Sequence, residues 1–146
     1  MQADIVIKGR GGNLKANIEV KNKRNLTADA ALFHYRSMMN NGFLANAPYF
    51  LMISQDVGFL WDDLEPSTIS PNPKLEFVMQ EVVRRYLPHL GEERLSSSEL
   101  EFLVIQWLMD LIGLGSDVQT EPERSFTGIG FTEAILGGVV VSGNQI

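Results

Sequence analysis

Two short segments near the start of the chain carry acidic and basic side chains that could act together: Asp4 and the tripeptide Glu19-Val20-Lys21. A Gly11-Gly12 pair lies midway between them and predicts a β-hairpin with a two-residue turn. In that register all cross-strand pairs have residue numbers with the same sum, so Asp4 lies directly opposite Glu19. Directly opposed Cβ atoms are about 4.5 to 5.5 Å apart, a distance at which two carboxylates repel each other. The hairpin therefore needs a positive partner at this position.

Alternation of side chains along the two strands gives the hairpin one apolar and one charged face. Ile5 lies opposite Ile18 on the apolar face, which is suited to burial, and the charged face carries Asp4, Glu19 and Lys21. Two carboxylates this close are ligands that Mg²⁺ or Mn²⁺ accepts, with water and substrate phosphate completing the shell. A lysine beside such an ion can orient or deprotonate a water for attack on a phosphodiester.

A resemblance to a known family is carried by residues 3–7, which read Ala-Asp-Ile-Val-Ile, and residues 18–21, which read Ile-Glu-Val-Lys. In these segments the chain resembles the PD-(D/E)XK nuclease superfamily, whose fold is called restriction-endonuclease-like. The helix and the apolar strand predicted after them follow the element order of that family. The resemblance implies that Asp4 and Glu19 hold the divalent metal and that Lys21 assists the nucleophilic water.

The chain departs from that family before the aspartate. The family usually places a helix, frequently with a further acidic residue, and a strand ahead of it, whereas only three residues precede Asp4 here. Three explanations stay open at this point. The chain is cut from a longer one, a partner supplies the elements, or the site is incomplete.

Composition restricts the class of protein and its chemistry. A length of 146 residues with 45% hydrophobic and 21% charged residues suits one globular domain with its own core. The absence of cysteine excludes disulfides, thiolate nucleophiles and Cys-based metal sites. No apolar run is long enough to span a bilayer, and the start lacks the pattern of a signal peptide. The sequence thus predicts a cytoplasmic protein without membrane contact.

Charge is distributed unevenly along the chain. Residues 1–40 hold seven basic and three acidic residues, a net charge of +4, while residues 41–146 have a net charge of −10. The basic part coincides with the predicted site, as a phosphate-binding surface requires. We therefore predict that Lys23, Arg24 and Arg36 contact nucleic acid, DNA before RNA, although no motif separates the two. The alternative is that these basic side chains are merely solvated.

Hydrophobic periodicity and capping residues predict the remaining elements. They are a helix over residues 28–40 capped by Thr27, strands over 49–53 and 57–61, a loop over 62–72, a helix opened by Asn72-Pro73 and ending near 87, a helix that follows the Ser96 to Glu99 capping box and ends near 111, and a short helix over 131–136 before a strand at 137–141. His34 lies on the first of these helices without a metal-spaced partner. It is interpreted as a helix-surface residue, with an approach to phosphate as the alternative.

Together these elements predict an α/β fold of restriction-endonuclease-like type, with a mixed sheet flanked by helices. Residues 1–146 form a single domain, in which residues 1–62 are the nuclease-like core and residues 71–146 a mainly helical extension. The predicted function is a Mg²⁺-dependent nuclease that hydrolyses phosphodiester bonds. The alternative is a catalytically inactive module of this fold that binds or assembles through its apolar C-terminal helices.

Two features predict a homodimer. The sheet lacks the family's first strand, which leaves an unpaired edge beside Asp4. The helix over residues 97–111 is apolar around most of its circumference, so Phe102, Trp107 and Leu108 are expected on its surface. A symmetric dimer would cover both features.

Overall fold

The computed structural model describes residues 3–42, 44–62, 72–114 and 120–143. This part of the chain is α/β, with a six-stranded mixed sheet flanked by helices. Its elements, in chain order, are β1 Ile5–Lys8, β2 Leu14–Val20, α1 Ala28–Asn40, β3 Tyr49–Ile53, β4 Val57–Asp62, β5 Leu75–Val78, α2 Met79–Tyr86, α3 Ser97–Leu114, α4 Glu123–Gly128, α5 Phe131–Ile135 and β6 Val139–Ser142. The strand order is β5-β4-β3-β2-β1-β6. The pair β2 and β3 is parallel, and all other neighbouring strands are antiparallel.

The β1-β2 hairpin has the predicted register over most of its length. Ile5 lies opposite Ile18, and Ile7 lies opposite Ala16. The predicted two-residue turn is wrong, because the connection runs over residues 9–13 and a bulge follows Ile7. The longer loop shifts the pairing by one residue and the bulge shifts it back, so the charged face is preserved.

An apolar layer covers each face of the sheet. On one face α1 packs through Leu32 and Tyr35, and the ring of Tyr35 lies 4.7 Å from that of Phe50 in β3. The α1 cap is confirmed, since Thr27 Oγ1 accepts a hydrogen bond from the Ala30 N–H at 3.1 Å. On the other face α2, α3, α4 and α5 bury the apolar side of the hairpin, including Ile18.

The helix predicted from Asn72-Pro73 onward is wrong at its start. Residues Leu75–Val78 form β5, which pairs antiparallel with β4, and the helix begins only at Met79. The strand is favoured because Phe77 lies opposite Gly58, where its ring occupies the space that a side chain would need. The loop predicted over residues 62–72 lies, between its two end residues, outside the described part of the chain.

The helix α3 is buried more completely than its sequence indicated. Its capping box is confirmed, with Glu99 N–H donating to Ser96 Oγ at 3.1 Å and Ser96 N–H donating to Glu99 Oε1 at 2.9 Å. The expected surface exposure is wrong for Trp107 and Leu108, which are 1% and 0% exposed, because α2, α4 and α5 surround them. Phe102 is 65% exposed, as predicted.

The sheet edge beside Asp4 is not unpaired. The last strand, β6, pairs antiparallel with β1, and Gly143 N–H donates to Asp4 C=O at 2.8 Å. The open edge expected from the sequence is therefore wrong, and neither it nor Trp107 argues for a dimer. None of the helices in the described ranges is both long and apolar enough to cross a bilayer.

Candidate active site

Asp4 and Glu19 lie side by side on the first two strands. Asp4 directly precedes β1, and Glu19 is the next-to-last residue of β2. Two reciprocal hydrogen bonds connect them: Asp4 N–H donates to Glu19 Oε1 at 3.0 Å, and Val20 N–H donates to Asp4 Oδ2 at 2.9 Å. Because each carboxylate is fixed by the backbone of the opposite strand, the pair, here called the carboxylate pair, is held in place before any ligand binds.

The carboxylate pair retains a proton near neutral pH. Burial, followed by the charge of Asp4, raises the pKa of Glu19 to about 8, and a hydrogen bond between the two carboxyl groups acts in the same direction. The Asp4 N–H and the charge of Lys21 partly oppose this rise. At pH 7 Glu19 is therefore mainly protonated, because the charge of Lys21 does not outweigh burial and the charge of Asp4.

His34 on α1 points its ring nitrogen at this pair. Its Nε2 lies 3.7 Å from Glu19 Oε2, is buried, and has no hydrogen-bond partner within the described ranges. Burial, and then the charge of Lys21, lower the pKa of His34, so the imidazole is neutral at pH 7. The surface location favoured from the sequence is therefore wrong in part. His34 lies one helical turn from the buried residues Ala31 and Met38. This spacing indicates that His34 borders the face of α1 that packs on the sheet.

Glu101 lies on α3, which packs on the other face of the sheet, and it is near enough to Asp4 for the two charges to influence each other. Burial, and then the charge of Asp4, raise the pKa of Glu101. Sequence reasoning missed this residue. The available signal was its position three and seven residues before the fully buried Val104 and Leu108, where a carboxylate interrupts the inward-facing stripe of α3.

The predicted basic residues occupy different surroundings. Lys21 follows β2 directly, and its N–H donates to Ile53 C=O at 2.9 Å, which extends the pairing with β3. Its charge affects the pKa of both Glu19 and His34, so it belongs to the site. Lys23 and Arg24 are exposed in the loop that follows. Arg36 is exposed on α1, roughly 200° around the helix from His34, and lies away from the carboxylate pair.

The residues fit a hydrated divalent ion better than a fully enclosed one. Within the described ranges, no three side chains of His, Asp or Glu form a metal-ligand group. Mg²⁺ commonly takes only one or two carboxylates and keeps several waters until substrate phosphate replaces them. The backbone hydrogen bonds use Asp4 Oδ2 and Glu19 Oε1, so Asp4 Oδ1 and Glu19 Oε2 are the oxygens that could hold such an ion.

Comparisons with protein-family models, with curated proteins and with solved structures give no match to this chain. The function of the protein is therefore inferred from the arrangement of its own residues.

Proposed function

We propose that this protein is a Mg²⁺- or Mn²⁺-dependent nuclease of restriction-endonuclease-like type. The observation that carries the proposal is the carboxylate pair, which is fixed by reciprocal backbone hydrogen bonds. The pair retains a proton at neutral pH, and the charge of Lys21 acts on it. A proton bound at a pKa of about 8 occupies a place where a divalent cation would stabilise both negative charges.

The order of elements supports the same proposal. The hairpin is followed by α1 and then by the apolar strand β3, the order that the resemblance implies. In this proposal α3 with Glu101, and β6 beside β1, would take the places of the family's helix, acidic residue and strand.

Each residue would have a distinct role in phosphodiester hydrolysis. Asp4 Oδ1 and Glu19 Oε2 would hold the ion, and Glu19 would release its proton to solvent when the ion binds. The bound ion would supply Lewis-acid stabilisation of the phosphate and acidify a coordinated water. Lys21 would orient that water for attack. An Nε2–H of His34 would donate a hydrogen bond to the ionised Glu19 and keep its carboxylate oriented.

Glu101 and the loop basic residues would act around this centre. Glu101 would add negative charge near Asp4, which favours a cation at the carboxylate pair. Lys23 and Arg24 would contact those phosphates of the substrate strand that lie just outside the site, since both residues are exposed and follow Lys21 closely in sequence. Arg36 would contact only a substrate that extends around α1.

The test is cleavage of a defined panel of substrates. Purified protein with Mg²⁺ or Mn²⁺ should cleave at least one of single-stranded, double-stranded and branched DNA and RNA. Glu19→Gln and Lys21→Ala should abolish cleavage while circular dichroism shows the same fold, and Glu133→Gln, at an exposed position on α5, should retain it. A panel left intact at low salt with either metal would overturn the proposal.

One observation favours a second candidate, the binding or assembly module. An apolar groove of about 500 Å³ lies beside α3 and is lined by Leu87, Leu95, Phe102 and Leu103, among others. Phe102 and Leu87 are 65% and 39% exposed there. An intact substrate panel together with association through this α3 groove would support the module instead.

A further inference from the structure

A polar cleft opens at the same edge of the sheet as the carboxylate pair. The parallel strands β2 and β3 end side by side, so the residues that follow them lie together at this edge. The cleft has a volume of about 370 Å³ and its lining includes Arg24, Asp56 and Arg94. Arg24 is three residues after Lys21, so their Cα atoms are at most about 10 Å apart. A substrate strand held in the cleft would therefore remain within reach of the proposed catalytic lysine.

One side of the cleft is held rigid by hydrogen bonds. Arg94 Nη1 donates to both carboxylate oxygens of Asp56 at 2.9 and 2.8 Å, and its Nη2 donates to Asn22 Oδ1 at 3.3 Å. Asn22 Nδ2 in turn donates to Leu95 C=O. The charge of Arg94 is therefore paired, and its structural effect is to fix the segment that leads from Lys21 to Arg24.

Three polar side chains of the lining remain available to a ligand. Within the described ranges, Arg24 makes no ion pair and the side-chain amide of Gln80 makes no hydrogen bond. Arg84 makes only an i,i+3 pair with Glu81 at 3.1 Å, in which both side chains are about 60% exposed. Exposed pairs of this kind contribute little, so an incoming phosphate can compete for Arg84. Of the acidic lining residues, Asp56 is paired with Arg94, and Glu92 is exposed.

The lining also has apolar residues, and the size of the cleft limits what enters. Leu87 and Leu90 contribute apolar surface beside the arginines, whereas Val83 is almost fully buried. A phosphate for the guanidinium groups and a flat, partly apolar ring for the two leucines are combined in a nucleotide. A volume of about 370 Å³ is at the lower end of small-molecule sites, which suits one nucleotide and excludes a duplex.

We propose that this cleft binds one nucleotide of a single-stranded segment, with its phosphate between Arg24 and Arg84 and its base against Leu87 and Leu90. The inference rests on the proposed nuclease function and specifies its substrate as nucleic acid with a single-stranded region next to the cleaved bond.

The test measures binding without divalent metal, so that cleavage does not contribute. Fluorescence anisotropy should show a labelled ten-nucleotide single strand binding at least tenfold more tightly than a blunt duplex of the same sequence. Arg24→Gln and Arg84→Gln should each weaken single-strand binding several-fold and reduce the slope of log K against log salt by about 0.7. Arg124→Gln, an exposed arginine of α4 outside the cleft, is the charge-matched control and should have a clearly smaller effect.

Competition separates a nucleotide site from a general anion site. A nucleoside monophosphate should displace the single strand at a concentration at least tenfold lower than inorganic phosphate does. Equal competition by phosphate, equal binding of the duplex, or cleft variants that behave like Arg124→Gln would each overturn the proposal. If cleft-dependent binding is found but no substrate is cleaved, the cleft stands and the nuclease proposal fails. If cleavage depends on Glu19 while the cleft variants bind and cleave normally, the nuclease proposal stands and the cleft fails.

Discussion

Replacing Glu19 by glutamine should change how stability depends on pH. The pKa of Glu19 is about 8 in the folded protein against an ordinary value of 4.5, so the folded state binds its proton more tightly than the unfolded state. Stability from this group is fully present below pH 4.5 and is lost as pH rises through 8. Each pKa unit corresponds to about 1.4 kcal/mol, so the total change is on the order of 4 to 5 kcal/mol. Glutamine keeps the shape and has no proton to lose.

The measurement is urea unfolding of wild type and Glu19→Gln between pH 4.5 and pH 9, followed by circular dichroism. The free energy of unfolding of the variant, minus that of wild type, should rise with a slope approaching about 1.4 kcal/mol per pH unit between pH 5 and pH 8. The surrounding charges of Asp4, Lys21, His34 and Glu101 remain in both proteins. The difference between the two proteins therefore reports mainly on Glu19.

Two results bear directly on the reasoning. A difference that stays constant from pH 5 to pH 9 would refute the claim that Glu19 is protonated because of burial and the neighbouring Asp4. Addition of Mg²⁺ at pH 8.5 should restore the stability that the wild-type protein loses at high pH, because the ion replaces the lost proton. The same addition should affect the stability of Glu19→Gln much less. Equal stabilisation of both proteins would place the binding of Mg²⁺ elsewhere.

The remaining predictions concern packing and assembly. Glu123→Ala should destabilise the fold by about 2 to 3 kcal/mol in urea, because the buried Glu123 accepts from Trp107 Nε1 at 3.0 Å and pairs with Arg85 at 2.7 Å. A loss below about 0.5 kcal/mol would show that water replaces the carboxylate. Light scattering at micromolar concentration should report twice the chain mass of 16.3 kDa, and Phe102→Ser in the α3 groove should shift it to one chain mass. A wild-type monomer would contradict the dimer.

Local sequence patterns were sufficient for the elements whose pairing is close in sequence. The pairing of Ile5 with Ile18 and of Ile7 with Ala16 was predicted, although the two-residue turn used to predict it was wrong, and the continuous apolar run predicted β3 with the observed bounds. The β5 strand could not be predicted in this way, since Leu75, Val78 and Met79 recur at helical spacing. Its conformation is set by the free edge of β4 and the space over Gly58, which exist only in the folded sheet.

The carboxylate pair was predictable from the sequence, whereas its surroundings were not. Asp4 and Glu19 belong to one hairpin, so a register argument is enough to bring them together. His34 lies 3.7 Å from Glu19, Glu101 is near enough to Asp4 to be influenced by its charge, and the two helices that carry them pack on opposite faces of the sheet. Their approach depends on how α1 and α3 pack, and no local spacing encodes the distance between a helix and a strand so far apart in sequence.

The pairing of β6 with β1 also governs when the candidate site can form during synthesis. Asp4 is made before all the described strands and helices, whereas the strand beside it, Val139–Ser142, and the Gly143 N–H that donates to its carbonyl are made after the described helices. A nascent chain that has not reached β6 leaves one side of β1 unpaired, and Asp4 lacks part of its support. The carboxylate pair therefore reaches its final, supported form only after β6 has been made and has paired with β1.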